Sequence, residues 1–182
     1  MIMNKFELRK ILKDKRKTLD MENLSDLIIE KLFLLNEFIL AKNVFTYISF
    51  GHEVDTNKIL NLKSKNIFVP KIINDRIIML KYDENHLLKN KFGILEPENS
   101  TEILPNEKDV IIVPALSCDK NFFRLGYGGG YYDKFLKNTN SVKVALLPQE
   151  LFVEKLPSEN HDVSVDYIIT EQNVFKNTNS VN

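Results

Sequence analysis

The chain has 182 residues, of which 43% are hydrophobic and 27% charged, and its formal net charge is zero. This composition is typical of one globular domain, and the charge balance gives no indication of nucleic-acid binding or of attachment to an anionic membrane. A single cysteine, Cys118, excludes an internal disulfide. Because the first residues are unlike a signal peptide and no apolar run could span a bilayer, we expect a cytoplasmic protein.

Helical and extended segments alternate along the chain. Apolar residues at helical spacing predict helices at 5–20, 25–41, 55–62 and 131–138, the second capped by Ser25 and the third by Asp55 or Thr56. Runs rich in β-branched and aromatic residues predict strands at 44–50, 67–70, 76–82, 109–115, 142–147 and 165–170.

This alternation predicts the α/β fold class: a single domain with three layers, α/β/α, around a mainly parallel sheet. The strand at 76–82 is expected at an edge of the sheet, and residues 86–108 are expected to form a long surface connection. We expect the domain to cover residues 1–175 and the polar tail, residues 176–182, to fray.

Four of the six glycines lie within residues 124–133, whose sequence is Arg-Leu-Gly-Tyr-Gly-Gly-Gly-Tyr-Tyr-Asp. This stretch separates a predicted strand from a predicted helix. Glycines let the backbone approach a ligand closely, and the unpaired N–H groups at a helix start attract anions. The stretch therefore predicts a loop that holds phosphate groups, with Arg124 as an anion clamp and Asp133 as a candidate magnesium ligand.

Neither of the two common phosphate-binding motifs fits this loop. A Walker A loop requires Gly-Lys-Ser/Thr after its last glycine, whereas Gly130 is followed by two tyrosines. The dinucleotide fingerprint fits Gly126 and Gly128 but needs a third glycine at the position of Tyr131. A phosphate site of a third kind is therefore predicted. The alternative is a glycine-rich turn that only lets two elements pack.

Ligands of parallel α/β sheets bind beyond the carboxyl ends of the strands. Glu53 follows the first predicted strand, so this rule brings it near the glycine loop. Lys5 and Arg9 lie one turn apart on the predicted N-terminal helix, where they either converge on the same anion or belong to a solvated face. The residues alone predict an ATP or phosphate-ester site beside a pocket with an acidic residue.

The chain resembles the 5-formyltetrahydrofolate cyclo-ligases, also called methenyltetrahydrofolate synthetases, from Lys5 to about Glu171. The matching segments are Lys5-x-x-x-Arg9, Tyr47-Ile-Ser-Phe, Glu53-Val-Asp-Thr56, Phe68-Val-Pro-Lys71, Gly93-Ile-Leu-Glu-Pro97, Val113-Pro-Ala-Leu, Arg124 to Asp133, and His161-Asp-Val-x-Val-Asp166. The resemblance implies that ATP phosphorylates the formyl oxygen of 5-formyltetrahydrofolate. The 10-nitrogen then attacks the activated carbon, and 5,10-methenyltetrahydrofolate, ADP and phosphate result.

The resemblance also implies the ligands and the residues that bind them. It implies Mg²⁺ as cofactor, ATP and 5-formyltetrahydrofolate as partners, and no nucleic acid, membrane or obligate protein partner. It implies Arg124 and Asp133 as catalytic residues, and Asp133 and Asp162 as metal ligands. The residues implied to bind ATP are Lys5, Arg9, Arg124, Leu125, Gly126, Tyr127, Gly128, Gly129, Gly130, Tyr131 and Tyr132. Those implied to bind the folate are Ile48, Glu53, Tyr127, Gly128, Gly129, Gly130 and Tyr131.

Other interpretations stay open from the sequence alone. Asp133 could be a carboxylate favoured by the dipole at the helix start, Asp162 could be a turn residue, and Asp166 competes as second metal ligand. Similar α/β domains serve as sugar-phosphate isomerases or acyl-CoA transferases, which would act without ATP. A non-catalytic nucleotide-binding module would bind ATP and leave formyl-folates unchanged.

Overall fold

A computed structural model describes residues 3–90, 93–98 and 101–179. The helices are α1 (Lys5–Lys17), α2 (Met21–Phe33), α3 (Asn36–Leu40), α4 (Asn57–Leu60) and α5 (Tyr131–Leu136), and residues Gln149–Leu151 form a 3-10 turn. The strands are β1 (Asn43–Phe45), β2 (Asn66–Ile73), β3 (Arg76–Lys81), β4 (Leu87–Lys89), β5 (Leu95–Pro97), β6 (Val110–Val113), β7 (Ser117–Asp119), β8 (Arg124–Leu125), β9 (Val142–Leu146), β10 (Phe152–Val153), β11 (Tyr167–Ile169) and β12 (Val174–Lys176). No helix in these ranges is long and apolar enough to cross a membrane.

Seven strands form the main sheet in the order β12-β11-β9-β6-β1-β2-β3. The five inner strands are parallel, and β12 and β3 pair antiparallel with their neighbours at the two edges. The predicted mainly parallel sheet is therefore confirmed, and so is the edge position of the strand predicted at 76–82. The inner strands are short apolar runs because a parallel sheet is covered on both faces.

An apolar core lies on each face of the sheet. Successive side chains of β1 point to opposite faces, so Phe45 packs in the core with Leu12 and Leu136, whereas Val44 packs in the other core with Ile28. Helices α1 and α5 thus cover one face, and α2, α3 and α4 the other. The predicted three-layer α/β/α arrangement is confirmed.

The second predicted helix proves to be two helices, and Ser25 does not cap it. Helix α2 begins after Asp20, whose carboxylate accepts the N–H of Asn23 at 3.3 Å, and the chain turns before α3 begins. The Ser25 hydroxyl lies inside α2 and accepts the backbone N–H of Asp55 at 2.9 Å. The serine therefore ties α2 to the loop after β1.

The other predicted helices begin near their expected positions but are shorter. Helix α1 begins after Asn4, which forms a capping box with Glu7, and ends at Lys17. Helix α4 begins after Thr56, whose side chain makes no capping bond, while the Asp55 carboxylate accepts the N–H of Asn57 at 2.9 Å. Helix α5 has only six residues.

Two small sheets were not predicted. The 86–108 connection contains the hairpin β4–β5, and the strands β10, β7 and β8 form a three-stranded sheet after β6. The glycine loop therefore follows the two-residue strand β8 and not the long buried strand predicted at 109–115. Two- and three-residue strands are too short for a period-2 pattern, so the sequence gives little sign of them.

The expectation that residues 176–182 fray stays a prediction, and residues 180–182 lie outside the described ranges. Strand β12 pairs with β11, and the Phe175 ring stacks on Phe152 with ring centroids 4.6 Å apart. The Asn177 side chain is buried and donates to the carbonyl of Val165 at 3.1 Å. One aromatic anchor thus holds a segment whose composition suggests disorder.

Candidate active site

The glycine loop, residues 126–130, connects β8 to α5 and needs glycine for its backbone shape. Gly128 and Gly130 have φ values of 110° and 68°, in the left-handed region that other residues rarely adopt. The Arg9 guanidinium carbon lies 3.6 Å from the position that a Cβ on Gly128 would take. The loop backbone is therefore exposed on one side and close to a cation on the other.

Three arginines surround this loop and supply its positive charge. Arg9 donates from Nε to the carbonyl of Gly126 at 2.9 Å. Arg124 is buried under the loop, and Arg16 donates from Nη1 to the hydroxyl of Tyr127 at 2.7 Å. Because α5 is so short, its dipole contributes little, and these side chains supply most of the positive charge around the loop.

Several buried donors at the loop have no hydrogen-bond partner within the described residues. They are Nε and Nη2 of Arg124, Nε of Arg16 and the hydroxyl of Tyr132. Nη2 of Arg124 lies 3.1 Å from the Asp133 carboxylate but not at a hydrogen-bonding angle. Buried polar groups are nearly always paired in folded proteins. The free N–H groups of Arg124 therefore fit a site that is completed by an anion.

The two predicted metal ligands lie near each other but differ in their contacts. Asp133 Oδ1 lies 3.1 Å from Arg124 Nη2 and accepts the N–H of Val163 at 3.3 Å, while Oδ2 accepts no hydrogen bond within the described residues. Both oxygens of Asp162 accept from Lys5 Nζ, at 3.0 and 2.8 Å. Burial is the largest single influence on Asp162 and opposes its ionisation, but the hydrogen bonds from Lys5 and from the Glu159 N–H, together with the charge of Lys5, outweigh it, so the pKa lies below its ordinary value.

Lys5 is consequently engaged away from the glycine loop, by Asp162 and by Glu159, whose carboxylate lies 3.1 Å from Nζ. Asp166, the competing metal ligand, precedes β11 and accepts the N–H of Lys143 at 2.7 Å. It lies at the amino ends of the parallel strands, at the opposite edge from the glycine loop. In the part of the chain that the structure describes, no three His, Cys, Asp or Glu side chains are grouped to hold a metal ion.

Glu53 lies in the loop after β1, as the sheet rule predicts. Its Oε2 accepts the N–H of Phe50 at 2.9 Å, and the carboxylate interacts with the Tyr127 hydroxyl. Burial raises the pKa of Glu53, and the bonds from Phe50 and Tyr127 together with the charge of Arg16 oppose that rise. The acidic pocket and the glycine loop are thus in contact through Tyr127.

The two apolar residues predicted beside the pocket lie on different faces of the sheet. Ile48 is half-buried against the core under α2, and Tyr131 is half-buried against the core under α1. Burial raises the pKa of the Cys118 thiol to about 12, so no thiolate is present as a nucleophile at neutral pH. Arg16 is the residue of this site that the sequence analysis missed.

A mainly parallel sheet that carries a glycine loop, arginines and a half-buried carboxylate at its carboxyl edge is typical of α/β proteins that bind a ligand at this edge. The chain belongs to the 5-formyltetrahydrofolate cyclo-ligase family, whose sequence model matches residues 2–171. The resemblance noted in the sequence is thereby confirmed.

Individual relatives agree with this assignment. The chain is 36% identical over 135 residues to a 5-formyltetrahydrofolate cyclo-ligase of Haemophilus influenzae, covering 68% of this chain and 72% of the relative. It is 30% identical over 166 residues to a probable one of Schizosaccharomyces pombe, covering 79% and 81%. The 5,10-methenyltetrahydrofolate synthetase structure from Aquifex aeolicus matches with a TM-score of 0.85 and 35% identity, over 96% of this chain and 93% of that one. A synthetase structure from Mycoplasma pneumoniae gives a TM-score of 0.75 and 25% identity, over 93% and 99%.

Proposed function

We propose that the protein catalyses the ATP-dependent cyclisation of 5-formyltetrahydrofolate to 5,10-methenyltetrahydrofolate, with release of ADP and phosphate. The observation that carries the proposal is the buried Arg124, whose unpaired N–H groups lie under the glycine loop in a chain of this family. An anion with several oxygens satisfies these donors, and the ATP triphosphate is such an anion.

The chemistry asks for positioning and charge neutralisation more than for a protein nucleophile. A formamide oxygen is a poor leaving group, so it first attacks the γ-phosphorus of ATP and ADP leaves. The 10-nitrogen then forms a bond to the activated carbon, and the C–O bond breaks to release phosphate. Phosphoryl transfer of this kind depends on holding the reacting oxygens in line and on balancing their charge. The inert Cys118 is consistent with that requirement.

On the ATP side, Arg9, Arg124 and the glycine-loop amides hold the triphosphate. We assign Arg124 as the catalytic cation because its guanidinium lies next to Gly126 and its Nε and Nη2 have no hydrogen-bond partner within the described residues. Tyr131 and Tyr132 begin α5 beside this part of the site, whereas the Leu125 side chain is buried in the core, so Leu125 contributes only by carrying the loop. Lys5 joins the triphosphate only when it leaves Asp162, with which it forms an ion pair in this structure.

The carboxylates fit Mg²⁺ in the chemistry of their oxygens and in one open position. Mg²⁺ usually takes one or two carboxylates, several waters and the phosphate oxygens of the substrate. Asp133 would hold the ion, since its Oδ2 accepts no hydrogen bond within the described residues, and Asp162 would join after Lys5 leaves it. The ion would supply charge neutralisation between the β- and γ-phosphates.

On the folate side, Glu53 accepts hydrogen bonds from pterin N–H groups, and the glycine loop provides close backbone contact. Ile48 and Tyr131 supply apolar surface to the ring system. The carboxylate is suited to this role because Phe50 and Tyr127 already orient it. The cytoplasmic location and the lack of an obligate protein partner stay predictions.

The test is to mix the purified protein with ATP, magnesium and 5-formyltetrahydrofolate and to follow the absorbance of the methenyl product. We expect turnover that stops when ATP is omitted. A folded protein that gives no ATP-dependent absorbance change with fresh substrate would refute the proposal. ATP binding without turnover would instead indicate a nucleotide-binding module.

A further inference from the structure

Arg16 is a buried cation that has no carboxylate at hydrogen-bonding distance among residues 3–90, 93–98 and 101–179. Only 3% of its surface is exposed. Its Nη2 donates to the carbonyls of Ala115 and Leu116 at 2.7 and 2.9 Å, and its Nη1 to the Tyr127 hydroxyl at 2.7 Å. Fully buried arginines are rare unless they are paired with an anion, because removing the charge from water is costly. A role in bracing the segment after β6 would not require a charge.

The hydrogen bonds of Arg16 determine which groups donate and which accept in the hydrogen-bond network around Tyr127. A guanidinium can only donate, so the Tyr127 oxygen must accept from it. The single phenolic proton is then left for the Glu53 carboxylate, with which Tyr127 interacts. The N–H of Phe50 holds Oε2 of the same carboxylate, and Arg16 holds the Tyr127 phenol, so both groups that act on Glu53 are fixed in position.

The charge of Arg16 also acts on Glu53. The groups that face this carboxylate are Arg16 and the phenols of Tyr47, Tyr127 and Tyr132. Arg16 is the cation among them, and its charge opposes the rise that burial imposes on the pKa of Glu53. Without this cation, the carboxylate would take up a proton at a higher pH.

We propose that Arg16 is a positioning residue for the folate half of the site. It holds the Tyr127 side chain of the glycine loop and, through the phenol, orients Glu53 in its ionised form. Three parts of the fold meet at this guanidinium: helix α1, the segment after β6 and the glycine loop. The inference rests on the proposed function, because it takes Glu53 as the folate contact.

The test compares Arg16→Met with Arg16→Lys, and uses Lys17→Met as a matched control. Lys17 is the next residue of the helix, but its side chain is 59% exposed and pairs only with Asp14. We expect Arg16→Met to raise KM for the folate by about ten-fold, as loss of one charge-assisted hydrogen bond does, and to change KM for ATP much less. Arg16→Lys keeps the positive charge but lacks the planar guanidinium with its several N–H donors. We therefore expect its KM for the folate to lie between those of the wild type and Arg16→Met. Lys17→Met should behave as the wild type.

The pH profile separates positioning from bracing. The acid limb of kcat/KM for the folate reports a group of the free enzyme. It should move to higher pH in Arg16→Met and stay in place in Arg16→Lys. Adding Tyr127→Phe to Arg16→Met should raise KM for the folate little further, since both changes break the same hydrogen bond between Arg16 and Tyr127.

Equal losses for ATP and folate, additive effects with Tyr127→Phe and an unmoved acid limb would overturn the inference. If Arg16→Met does not fold, the single variant Tyr127→Phe tests the inference instead. Selective loss of folate binding in this variant supports a role of the Arg16–Tyr127 contact, and unchanged folate kinetics refute it. A folded wild-type protein without ATP-dependent turnover would refute the proposed function and this inference together. An active wild type with unselective Arg16 variants refutes the inference alone.

Discussion

Changing Asp133→Asn tests whether this carboxylate holds the metal or only balances Arg124. Asparagine keeps an oxygen that can accept from the N–H of Val163, but it removes the negative charge beside a guanidinium whose side chain is 3% exposed. Removing one partner of a mostly buried ion pair costs about 3–5 kcal/mol, so we expect a loss of folding stability of this order. If Asp133 also holds Mg²⁺, turnover should fall by about a hundred-fold, as after loss of one preorganised electrostatic contact.

The assay measures turnover against magnesium concentration at saturating ATP and folate, with thermal melting of the same samples. A metal ligand predicts a higher magnesium requirement in Asp133→Asn and partial recovery of turnover at high magnesium. The control is Asp14→Asn, an exposed carboxylate on α1 that pairs with Lys17. An Asp133→Asn protein that melts earlier but keeps the wild-type magnesium dependence would show that the residue only balances Arg124.

Two further predictions follow from the same contacts. Arg9→Ala should raise KM for ATP by about ten-fold and change KM for the folate little. Glu53→Gln should raise KM for the folate and change KM for ATP little. Calorimetry that gives equal losses of affinity for both ligands would contradict this division. Asp162 has a lowered pKa, so its pair with Lys5 stabilises the fold above the unfolded carboxyl pKa near 3.8 and loses this contribution as pH falls through the folded value. The stability difference between the wild type and Asp162→Asn should therefore be present at pH 7 and vanish in acid, and urea unfolding showing a constant difference would refute the linkage.

Patterns that repeat within one element predicted most of the fold. The parallel sheet follows from apolar runs separated by helices, and the glycine loop follows from backbone angles that only glycine tolerates well. Elements of two or three residues, such as β8, carry no such period and were missed. Ser25 has the chemistry of a helix cap, but the fold brings the Asp55 N–H within its reach, so the hydroxyl serves a tertiary contact instead. Local preference cannot decide between those two uses of one oxygen.

The contacts that build the site join distant parts of the chain. Arg9 and Gly126 are 117 residues apart, and Lys5 and Asp162 are 157 apart. The sequence placed Lys5 and Arg9 on one face of a helix, which is correct, but it could not show that Lys5 reaches a carboxylate and Arg9 the glycine loop. Each cation takes the nearest oxygen that the completed fold offers, and that depends on how α1 crosses the sheet.

Arg16 illustrates both the signal and its limit. Leu8, Leu12 and Leu19 follow the helical period of α1 and the turn after it, and Arg16, four residues after Leu12, falls on the same face. A charge on an apolar face predicts either a break in the pattern or a buried cation that needs acceptors. The helical spacing of the leucines is sufficient to place Arg16 on the buried face of α1. Its acceptors lie about a hundred residues away, so only the packing of α1 against the end of β6 and the glycine loop determines what the cation does.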